Sequence, residues 1–475
     1  MMVALYYAPR PWSKAHSTVE PLPRETAWGC RICTSKPPHV GIETAHRRGE
    51  AMDHWMRRWV ALVAIGVVLL LGAGQLQAQQ AIPSSVKVGG IFDTSGPTSD
   101  VGVDYSKGAL DHIRYINEVE GGIRGKVKID LVWSDYGYKI PEAVALYRKY
   151  RDVDRVTAII GWGTGDTEAL TREVAKDRIP YISASYSSHL NDPKKAPYNF
   201  YPITSYSDQL RGMLKFFKDL ADKEGIKNPK IVFIYPDVPY GRAPIPAGKE
   251  YAKELGFEIG PDQIVALTAL EARSQMLGVK SFGADFAWIG GTTNSTAVIV
   301  RDAKALGLRT RFGVNVWGYD ENLLKLAGPA SEGVYGNTPH AYYGESVPGM
   351  KKMFDALRRF HGKEPNFQWG TTQTPFIASY VRGWMNVYLL KRALEIIVEN
   401  YDTYTRTYGG ITGPAIKAAL ESIRGWDPEG LAPRISITAD DHRPSTTTRI
   451  FVVKNRRITL AGSVSVERRP NWLGF

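Results

Sequence analysis

The chain has 475 residues, of which 43% are hydrophobic and 23% are charged. This length exceeds that of one ordinary domain, and the composition excludes a disordered chain and a multi-span membrane protein. The net charge is +12, but residues 1–78 carry part of it, and the rest holds 51 basic against 43 acidic residues. Because that excess is spread thinly and short groups such as Arg456-Arg457 and Arg468-Arg469 are typical of solvated surface, no nucleic-acid partner is predicted.

Both cysteines, Cys30 and Cys33, lie near the start of the chain. A single C-x-x-C pair, with no second pair and no histidine at ligand spacing, does not indicate a metal site or a redox site. The body after Cys33 contains no cysteine, which is compatible with an oxidising compartment. We therefore predict no metal and no cofactor.

An export signal is the next feature along the chain. Arg57 and Arg58 precede an apolar run, Trp59–Leu71, and the small-residue segment Leu76-Gln77-Ala78 follows. This order of charge, apolar core and cleavage site is that of a secretory signal peptide, and the run is too short to span a bilayer. We predict a cleavable signal peptide over residues 52–78, with Met52 as the true start. Residues 1–51 are then an upstream, non-native or disordered segment, and the mature protein is periplasmic.

From Val86 onward, short β-branched runs alternate with longer segments of helical period, which is typical of parallel sheets covered by helices. The predicted strands are Val86–Phe92, Val127–Trp133, Thr157–Gly161, Pro180–Ile182, Ile231–Tyr235, Phe257–Ile264, Phe286–Ile289 and Arg311–Val314. The predicted helices are Tyr105–Glu118, Pro141–Arg151, Thr167–Asp177, Asp208–Lys223, Ala247–Leu255, Glu271–Phe282, Thr296–Leu306, Met350–His361 and Pro375–Asn400.

These units fall into two sets, one before about residue 205 and one after it. The fold class predicted from them is α/β, with two doubly wound lobes. One lobe takes residues 85–205 and about 338–425, and the other takes 206–337 and about 426–465. A terminal hairpin is predicted from Arg449–Val453 and Ile458–Leu460, with Lys454–Arg457 turning between them. No flexible linker separates the lobes, so the hinge is expected to consist of several short chain crossings.

Candidate functional residues follow the strands, because ligands of open α/β sheets bind beyond the carboxyl ends of the strands. Glycine and hydroxyl residues at such positions can direct backbone N–H groups and hydroxyls at a polar ligand, although they also serve as ordinary helix caps. Three such loops fall in the first lobe and two in the second: Asp93–Ser99, Gly161–Thr167 and Ser183–Ser188, then Pro236–Gly241 and Gly290–Ser295.

The same loops argue against nucleotide binding and catalysis. A dinucleotide fingerprint starting at Gly161 would need glycine where Asp166 stands, and the sequence has no phosphate-binding Walker loop. Nucleophile-elbow and zinc-protease motifs are also absent, and the histidines after residue 78 are scattered singly. The sequence therefore predicts a binding protein and not an enzyme.

The chain resembles the substrate-binding proteins of branched-chain amino acid type ABC transporters, the leucine-binding-protein-like group of type I periplasmic binding proteins. The resemblance extends from about Val86 to Leu460 and depends on the order and spacing of several short motifs. These motifs are Val88–Phe92 leading into Ser95-Gly96-Pro97, Asn117–Gly125, Asp135 with Pro141-Glu142-Ala143, Ile160–Thr164, Ile179–Ser185, Asp237–Gly241 and Ala303–Gly307.

This resemblance implies two lobes joined by three crossovers, a small-molecule ligand in the cleft between them, and a membrane permease of an ABC importer as partner. We further expect a monomer. The family's ligand contacts fall on residues of the strand-end loops in this chain. They are Gly163, Thr164, Thr167, Ala184, Ser185, Tyr186, Tyr240, Thr292 and Asn294, with Asp320 as the expected partner of a ligand ammonium. Ser95, Trp162 and Trp317 are further candidate ligand contacts.

Two departures from the family pattern bear on the ligand. Asp166 lies in the loop that would receive a ligand carboxylate, where a second negative charge is unfavourable. The cleft is also predicted to be more aromatic than a small aliphatic amino acid requires, because of Trp162, Tyr186, Tyr240, Trp317 and Tyr319. An amino acid, an amide or urea, and an aromatic acid all remain candidate ligands. A ligand-sensing module for a signalling receptor and a hydrolase remain the alternative functions.

Overall fold

A computed structural model describes residues 55–60 and 81–469. The chain divides into two units, Met1–Ala78 and Gln79–Phe475. Residues 55–60 of the first unit are helical; the rest of the predicted signal peptide and the predicted upstream segment lie outside the described residues. Within the described ranges, no helix combines the length and apolar character needed to cross a bilayer. The following sections concern the second unit.

The first lobe is built on a five-stranded sheet of order β2-β1-β3-β4-β5, in which every strand pair is parallel. Its strands are β1 (Ser85–Phe92), β2 (Lys128–Asp135), β3 (Ala158–Ile160), β4 (Tyr181–Ile182) and β5 (Asn199–Phe200). The helices between them are α1 (Ser99–Glu118), α2 (Ile140–Lys149) and α3 (Thr164–Asp177). Because the strands are parallel, all their carboxyl ends lie at one edge of the sheet.

The second lobe is built on an eight-stranded sheet of order β13-β12-β11-β10-β9-β6-β7, with β8 also paired to β6. Its strands are β6 (Lys230–Tyr235), β7 (Glu258–Ile259), β8 (Gln263–Ile264), β9 (Phe286–Ile289), β10 (Arg311–Val314), β11 (Tyr335–Asn337), β12 (Thr447–Lys454) and β13 (Arg457–Ser465). Its helices are α4 (Tyr206–Lys223), α5 (Pro239–Arg242), α6 (Ile245–Glu254), α7 (Arg273–Phe282), α8 (Thr293–Ala305) and α9 (Glu321–Ala327). Only the terminal hairpin pairs antiparallel, with β11 and with itself.

Four further helices follow β11 and return to the first lobe. They are α10 (Met350–His361), α11 (Ala378–Glu399), α12 (Tyr401–Tyr408) and α13 (Gly413–Glu421). Residues of α10, α11 and α13 share one hydrophobic core with β1 and β3, as do Leu431 and Ile435. The chain thus passes between the lobes three times, which confirms the predicted fold class. The lobe boundaries given by residue number stay a prediction.

Most predicted elements are confirmed, and the differences have local causes. The strand predicted over Phe257–Ile264 is two short strands, because Pro261 between them has no N–H to donate to a neighbouring strand. The strands β5 and β11 and the helices α5, α9, α12 and α13 were not predicted, since most are too short to show a period. The terminal hairpin is confirmed, with Asn455 and Arg456 at positive φ in its two-residue turn.

The crossing of α1 and α11 sets the position of the first lobe's longest helices. A Cβ atom added at Gly108 would lie 2.0 Å from the carbonyl oxygen of Tyr380, and one added at Gly383 would lie 1.8 Å from that of Tyr105. The two helix backbones are therefore in direct contact at these glycines, and no larger residue fits without moving a helix.

The first prediction concerns this contact. We expect Gly383→Ala to lower the free energy of unfolding by about 1–3 kcal/mol, because the new methyl group overpacks a backbone contact. Urea denaturation followed by circular dichroism measures the change. Gly462→Ala is the matched control, because a Cβ there would meet only Phe216, at 3.9 Å. Equal stability of Gly383→Ala and the wild type would contradict the close packing of α1 and α11.

Candidate ligand-binding cleft

A narrow cavity of about 20 Å³ lies between the strand-end loops of the two lobes. Residues from both lobes, and one at the first crossing between them, line it. The lining residues are Thr98, Val101, Tyr138, Trp162, Gly163, Thr164 and Ala184 of the first lobe, Tyr206 at the crossing, and Tyr240, Thr292 and Trp317 of the second lobe. The loops therefore face one another across a shared space, as predicted from the carboxyl ends of parallel strands.

Several helices begin at the cavity wall. Thr98 directly precedes α1, Gly163 precedes α3, and Thr292 precedes α8. Each helix N-terminus carries unpaired N–H groups and a partial positive charge of roughly half an elementary charge. The site is thus surrounded by the positive ends of helices from both lobes.

The cavity wall is predominantly aromatic. The rings of Trp162 and Trp317 meet edge-to-face across the lobes, with their centroids 4.9 Å apart and an interplanar angle of 65°. Tyr206 and Tyr240 form a second edge-to-face pair at 5.5 Å. Tyr138 adds a further ring from a residue at φ +58°, a left-handed conformation that non-glycine residues adopt rarely. A non-glycine residue in this conformation beside a cavity is typical of a functional loop.

Four of the wall's aromatic side chains, those of Trp162, Tyr206, Tyr240 and Trp317, already have hydrogen-bond partners within the protein. The Tyr206 hydroxyl accepts a hydrogen bond from Trp317 Nε1 at 2.7 Å and donates one to the Ala184 carbonyl at 3.2 Å. The Tyr240 hydroxyl donates to the carbonyl of Gly291 at 2.9 Å. On the first lobe, Trp162 Nε1 donates to Thr98 Oγ1 at 2.9 Å. These bonds fix the orientation of the rings, so the wall is preorganised.

Three carboxylates lie one layer behind the wall. Asp93 accepts hydrogen bonds from the backbone N–H and the hydroxyl of Thr98. Asp166 lies directly behind Gly163, because a Cβ atom added at Gly163 would be 2.5 Å from Asp166 Oδ1. Asp100, on α1, accepts a hydrogen bond of 2.9 Å from the backbone N–H of Asn294 in the second lobe.

Burial raises the pKa of Asp166 to about 7, although hydrogen bonds from two tyrosines oppose that shift. The hydroxyl of Tyr136 donates to Asp166 Oδ1 at 2.7 Å, and that of Tyr181 donates to Oδ2 at 3.1 Å. Burial likewise raises the pKa of Asp100. The side chain of Asp166 thus points inward beneath its helix and away from the cavity. A ligand carboxylate in this loop would otherwise meet a second negative charge directly.

Asp320, the expected partner of a ligand ammonium, does not line the cavity. Its carboxylate caps α9 by accepting from the Asn322 N–H at 2.9 Å, and it accepts from Thr293 Oγ1 at 2.7 Å. Burial raises its pKa to about 6. The guanidinium of Arg382, from α11, lies nearby over the Trp317 ring at 4.7 Å. Asp320 thus stabilises the loop that carries Trp317.

The structure brings seven of the predicted site residues to the cavity wall: Trp162, Gly163, Thr164, Ala184, Tyr240, Thr292 and Trp317. The other predicted residues lie beside or behind the wall. Ser95 is exposed, as is Asn294. Thr167 donates to the Gly163 carbonyl at 2.5 Å. Ser185 shares a hydrogen bond of 2.7 Å with Thr164, and Tyr186 stacks on Trp317 at 5.6 Å.

Sequence reasoning missed four wall residues: Thr98, Val101, Tyr138 and Tyr206. Thr98 lies in the loop Asp93–Ser99, which was predicted to belong to the site, but Thr98 itself was not selected. Val101 was missed because α1 begins six residues earlier than predicted. Tyr138 follows β2, whose carboxyl end was not considered as part of the site. Tyr206 is the first residue of α4. A systematic reading of every strand end and helix start could have found all four.

Over the ranges 55–60 and 81–469, no three His, Cys, Asp or Glu side chains are grouped closely enough to hold a metal ion. The chemistry of the site is therefore described by its aromatic rings, hydroxyls, backbone groups and buried carboxylates. This arrangement can enclose a small molecule, exclude water from it and contact it from both lobes at once.

Comparison with known proteins places this architecture in a family. A family model for periplasmic binding proteins matches residues 85–457. A substrate-binding protein of an ABC transporter from Aeropyrum pernix is 32% identical, with a TM-score of 0.72 over 82% of this chain and 98% of that one. A branched-chain amino acid ABC transporter protein from Thermus thermophilus, solved with bound valine, has a TM-score of 0.71 and 23% identity, covering 81% and 98% of the two chains.

Curated relatives agree with this assignment. The Leu/Ile/Val-binding protein homolog 7 of Brucella abortus is 24% identical over 328 residues, which are 64% of this chain and 78% of the relative. The Leu/Ile/Val-binding protein of Escherichia coli is 25% identical over 301 residues, 62% of this chain and 78% of the relative. These relatives are binding proteins and not enzymes. The chain belongs to the periplasmic binding protein family.

Proposed function

We propose that this protein is the solute-binding component of an ABC importer and that it carries one small molecule in the cavity between its lobes. The observation that carries the proposal is that side chains of both lobes wall a single cavity. A ligand that touches both walls binds the closed form more tightly than the open form, and so shifts the population toward closure. A membrane permease can then recognise the closed form and receive the ligand.

Direct contacts between the lobes support a closed state. The Asp100 carboxylate of the first lobe accepts from the N-terminus of α8 in the second lobe. The Ala378 N–H, at the start of α11, donates to Glu321 Oε2 of the second lobe at 3.0 Å. The edge-to-face contact between Trp162 and Trp317 adds an apolar interaction across the cleft. These contacts connect residues that are far apart in sequence, so opening the cleft would break them.

The relatives support a small-molecule ligand, since one was solved with bound valine and others are named for leucine, isoleucine and valine. An amino acid, an amide or urea, and an aromatic acid are the classes favoured by the sequence. Export to the periplasm follows from the predicted signal peptide and from the family. The alternative partner is a signalling receptor that recognises the same closed form. Genes for a permease and an ATPase next to the gene for this protein would favour the importer.

The second prediction tests binding in the cavity. A panel of amino acids, amides, ureas, aromatic acids and organic cations is screened by thermal shift and by small-angle X-ray scattering. A true ligand at one hundred times its Kd should stabilise the folded state by about 2.7 kcal/mol and reduce the radius of gyration. We expect Ala184→Phe, which fills the cavity, to abolish both effects, whereas Ala169→Phe on the exposed face of α3 should keep them.

A failure of every panel compound to compact the protein would contradict a closing binding protein. Retained binding in Ala184→Phe would place the ligand elsewhere. Circular dichroism of both variants shows whether the fold is intact.

The third prediction concerns the contact between Asp100 and Asn294. Asp100→Ala leaves the N–H of Asn294 without its partner in the closed form, so the affinity for the ligand identified above should fall about tenfold. Isothermal titration measures the change. Asp130→Ala removes an exposed carboxylate from β2 of the same lobe and should leave the affinity unchanged. Equal affinities of Asp100→Ala and Asp130→Ala would show that this contact does not stabilise closure.

The fourth prediction concerns export. Cleavage after the segment Leu76-Gln77-Ala78 should leave a periplasmic protein whose N-terminus is close to Gln79. Edman sequencing of the protein from a periplasmic extract reads that end directly. A mature chain that begins before residue 50, or a protein retained in the cytoplasm, would contradict the predicted start and signal.

A further inference from the structure

We propose that the cavity selects a small organic cation whose head is an alkylated ammonium group. This inference rests on the proposed function, because it names the ligand class of the same cavity. Three independent features of the wall and of the layer behind it support the proposal: the aromatic rings, the prior engagement of the polar groups, and the sign of the charges around the site.

The rings provide the first feature. Five aromatic side chains line one small cavity: Tyr138, Trp162, Tyr206, Tyr240 and Trp317. The π-face of an aromatic ring attracts a cation within about 6 Å, by roughly 2 kcal/mol or more where water is excluded. A group of such rings around a small space is the arrangement that recognises alkylated ammonium ions. Leucine or valine would need only aliphatic contacts.

The second feature is that several polar groups of the wall already form hydrogen bonds within the protein. The hydroxyls of Tyr206 and Tyr240 already bond to backbone carbonyls, and that of Thr98 bonds to Asp93. A primary ammonium needs up to three acceptors when it leaves water, and the lining includes no carboxylate to replace them. An alkylated ammonium has few or no N–H groups, so it gives up fewer hydrogen bonds to water when it enters this cavity.

The third feature is the charge behind the wall. Asp93 bonds to the N–H of Thr98 at the start of α1, Asp166 lies beneath the start of α3, and Asp100 bonds to the first turn of α8. Each helix end contributes roughly +0.5 charge, whereas each ionised carboxylate contributes −1. When they are ionised, these carboxylates outweigh the helix ends that would otherwise attract an anion.

Burial raises the pKa of Asp166 and of Asp100, but a cation held in the cavity would favour the ionised form of each carboxylate by attraction. Both oxygens of Asp166 accept hydrogen bonds from tyrosine hydroxyls, and Asp93 accepts from the N–H groups of Gly96 and Thr98. Hydrogen bonds of this kind stabilise a carboxylate. A basic side chain, Arg382, also lies behind Trp317, where Asp320 opposes its charge, whereas burial raises the pKa of Glu321 to about 8. With Asp93, Asp100 and Asp166 ionised, the field at the cavity is negative.

The experiment compares ligands of equal shape and different charge. Isothermal titration of the full mature protein is carried out with tetramethylammonium, with choline and with 3,3-dimethylbutan-1-ol, which is the neutral isostere of choline. We expect choline to bind at least about tenfold more tightly than the alcohol, because only the cation gains from the rings and the carboxylates. Equal or tighter binding of the alcohol, or no binding of either cation at millimolar concentration, overturns the inference.

Benzoate, benzamide and leucine form the remaining arms of the titration. Tighter binding of any of them than of choline also overturns the inference, and identifies an anionic, a neutral planar or an amino acid ligand. Scattering measurements in each arm separate this outcome from a failure of the proposed function. Compaction by benzoate, benzamide or leucine alone rejects the cation and keeps the binding protein, whereas binding of choline without compaction rejects closure.

Two variants test the physical cause. Asp100→Asn keeps an acceptor for the Asn294 N–H but removes the charge, so choline affinity should fall several-fold while that of the alcohol stays constant. Trp162→Leu removes one ring of the wall and should weaken choline more than the alcohol. Asp130→Asn and Trp133→Leu are the matched controls, since both side chains are exposed in the same lobe. If each test variant lowers the affinity for choline and for the alcohol by the same factor, the proposed role of charge is overturned.

Discussion

The parallel arrangement of strands is the constraint on which the site depends. Because β1, β3 and β4 run in one direction, their following loops meet at one edge of the first sheet, and β6, β9 and β10 do the same in the second. The helices that follow these strands begin at the same edges. A cavity between two such edges is therefore surrounded by helix N-termini, and the side chains next to them decide which ligand the cavity accepts.

In this protein, aspartates meet those helix ends. Asp93, Asp166 and Asp320 each lie at the N-terminus of a helix in their own lobe. Asp100 instead accepts a hydrogen bond from a helix of the opposite lobe. The last contact joins the two lobes directly, so the proposed opening of the cleft would have to break it. In their ionised form, the same residues oppose the attraction that bare helix ends would exert on an anion. The proposed closure and the proposed charge of the ligand therefore depend on one set of carboxylates.

Aromatic residues have a comparable double role. Trp317 lines the cavity, donates to the Tyr206 hydroxyl, stacks with Tyr186 and lies under the guanidinium of Arg382. The wall is thus held by bonds that extend into the hinge region and into α11 of the first lobe. The sequence showed an unusual number of aromatic residues near the cleft, but it could not show which ring faces the ligand. Tyr186 lies behind Trp317 because of the way their two loops pack against each other. The sequence around Tyr186 does not indicate this position.

Local patterns in the sequence determined the alternation of strands and helices, the terminal hairpin and most loops of the site, because hydrophobic periods and glycine-rich strand ends act over a few residues. Three residues predicted from these patterns, Trp162, Gly163 and Thr164, line the cavity in the structure. Tertiary structure alone decided that Asp320 caps α9 and does not face the cavity, and that Tyr138 and Tyr206 complete the wall. The physical reason is that side-chain direction at a lobe interface depends on packing between segments more than one hundred residues apart, such as Asp100 and Asn294.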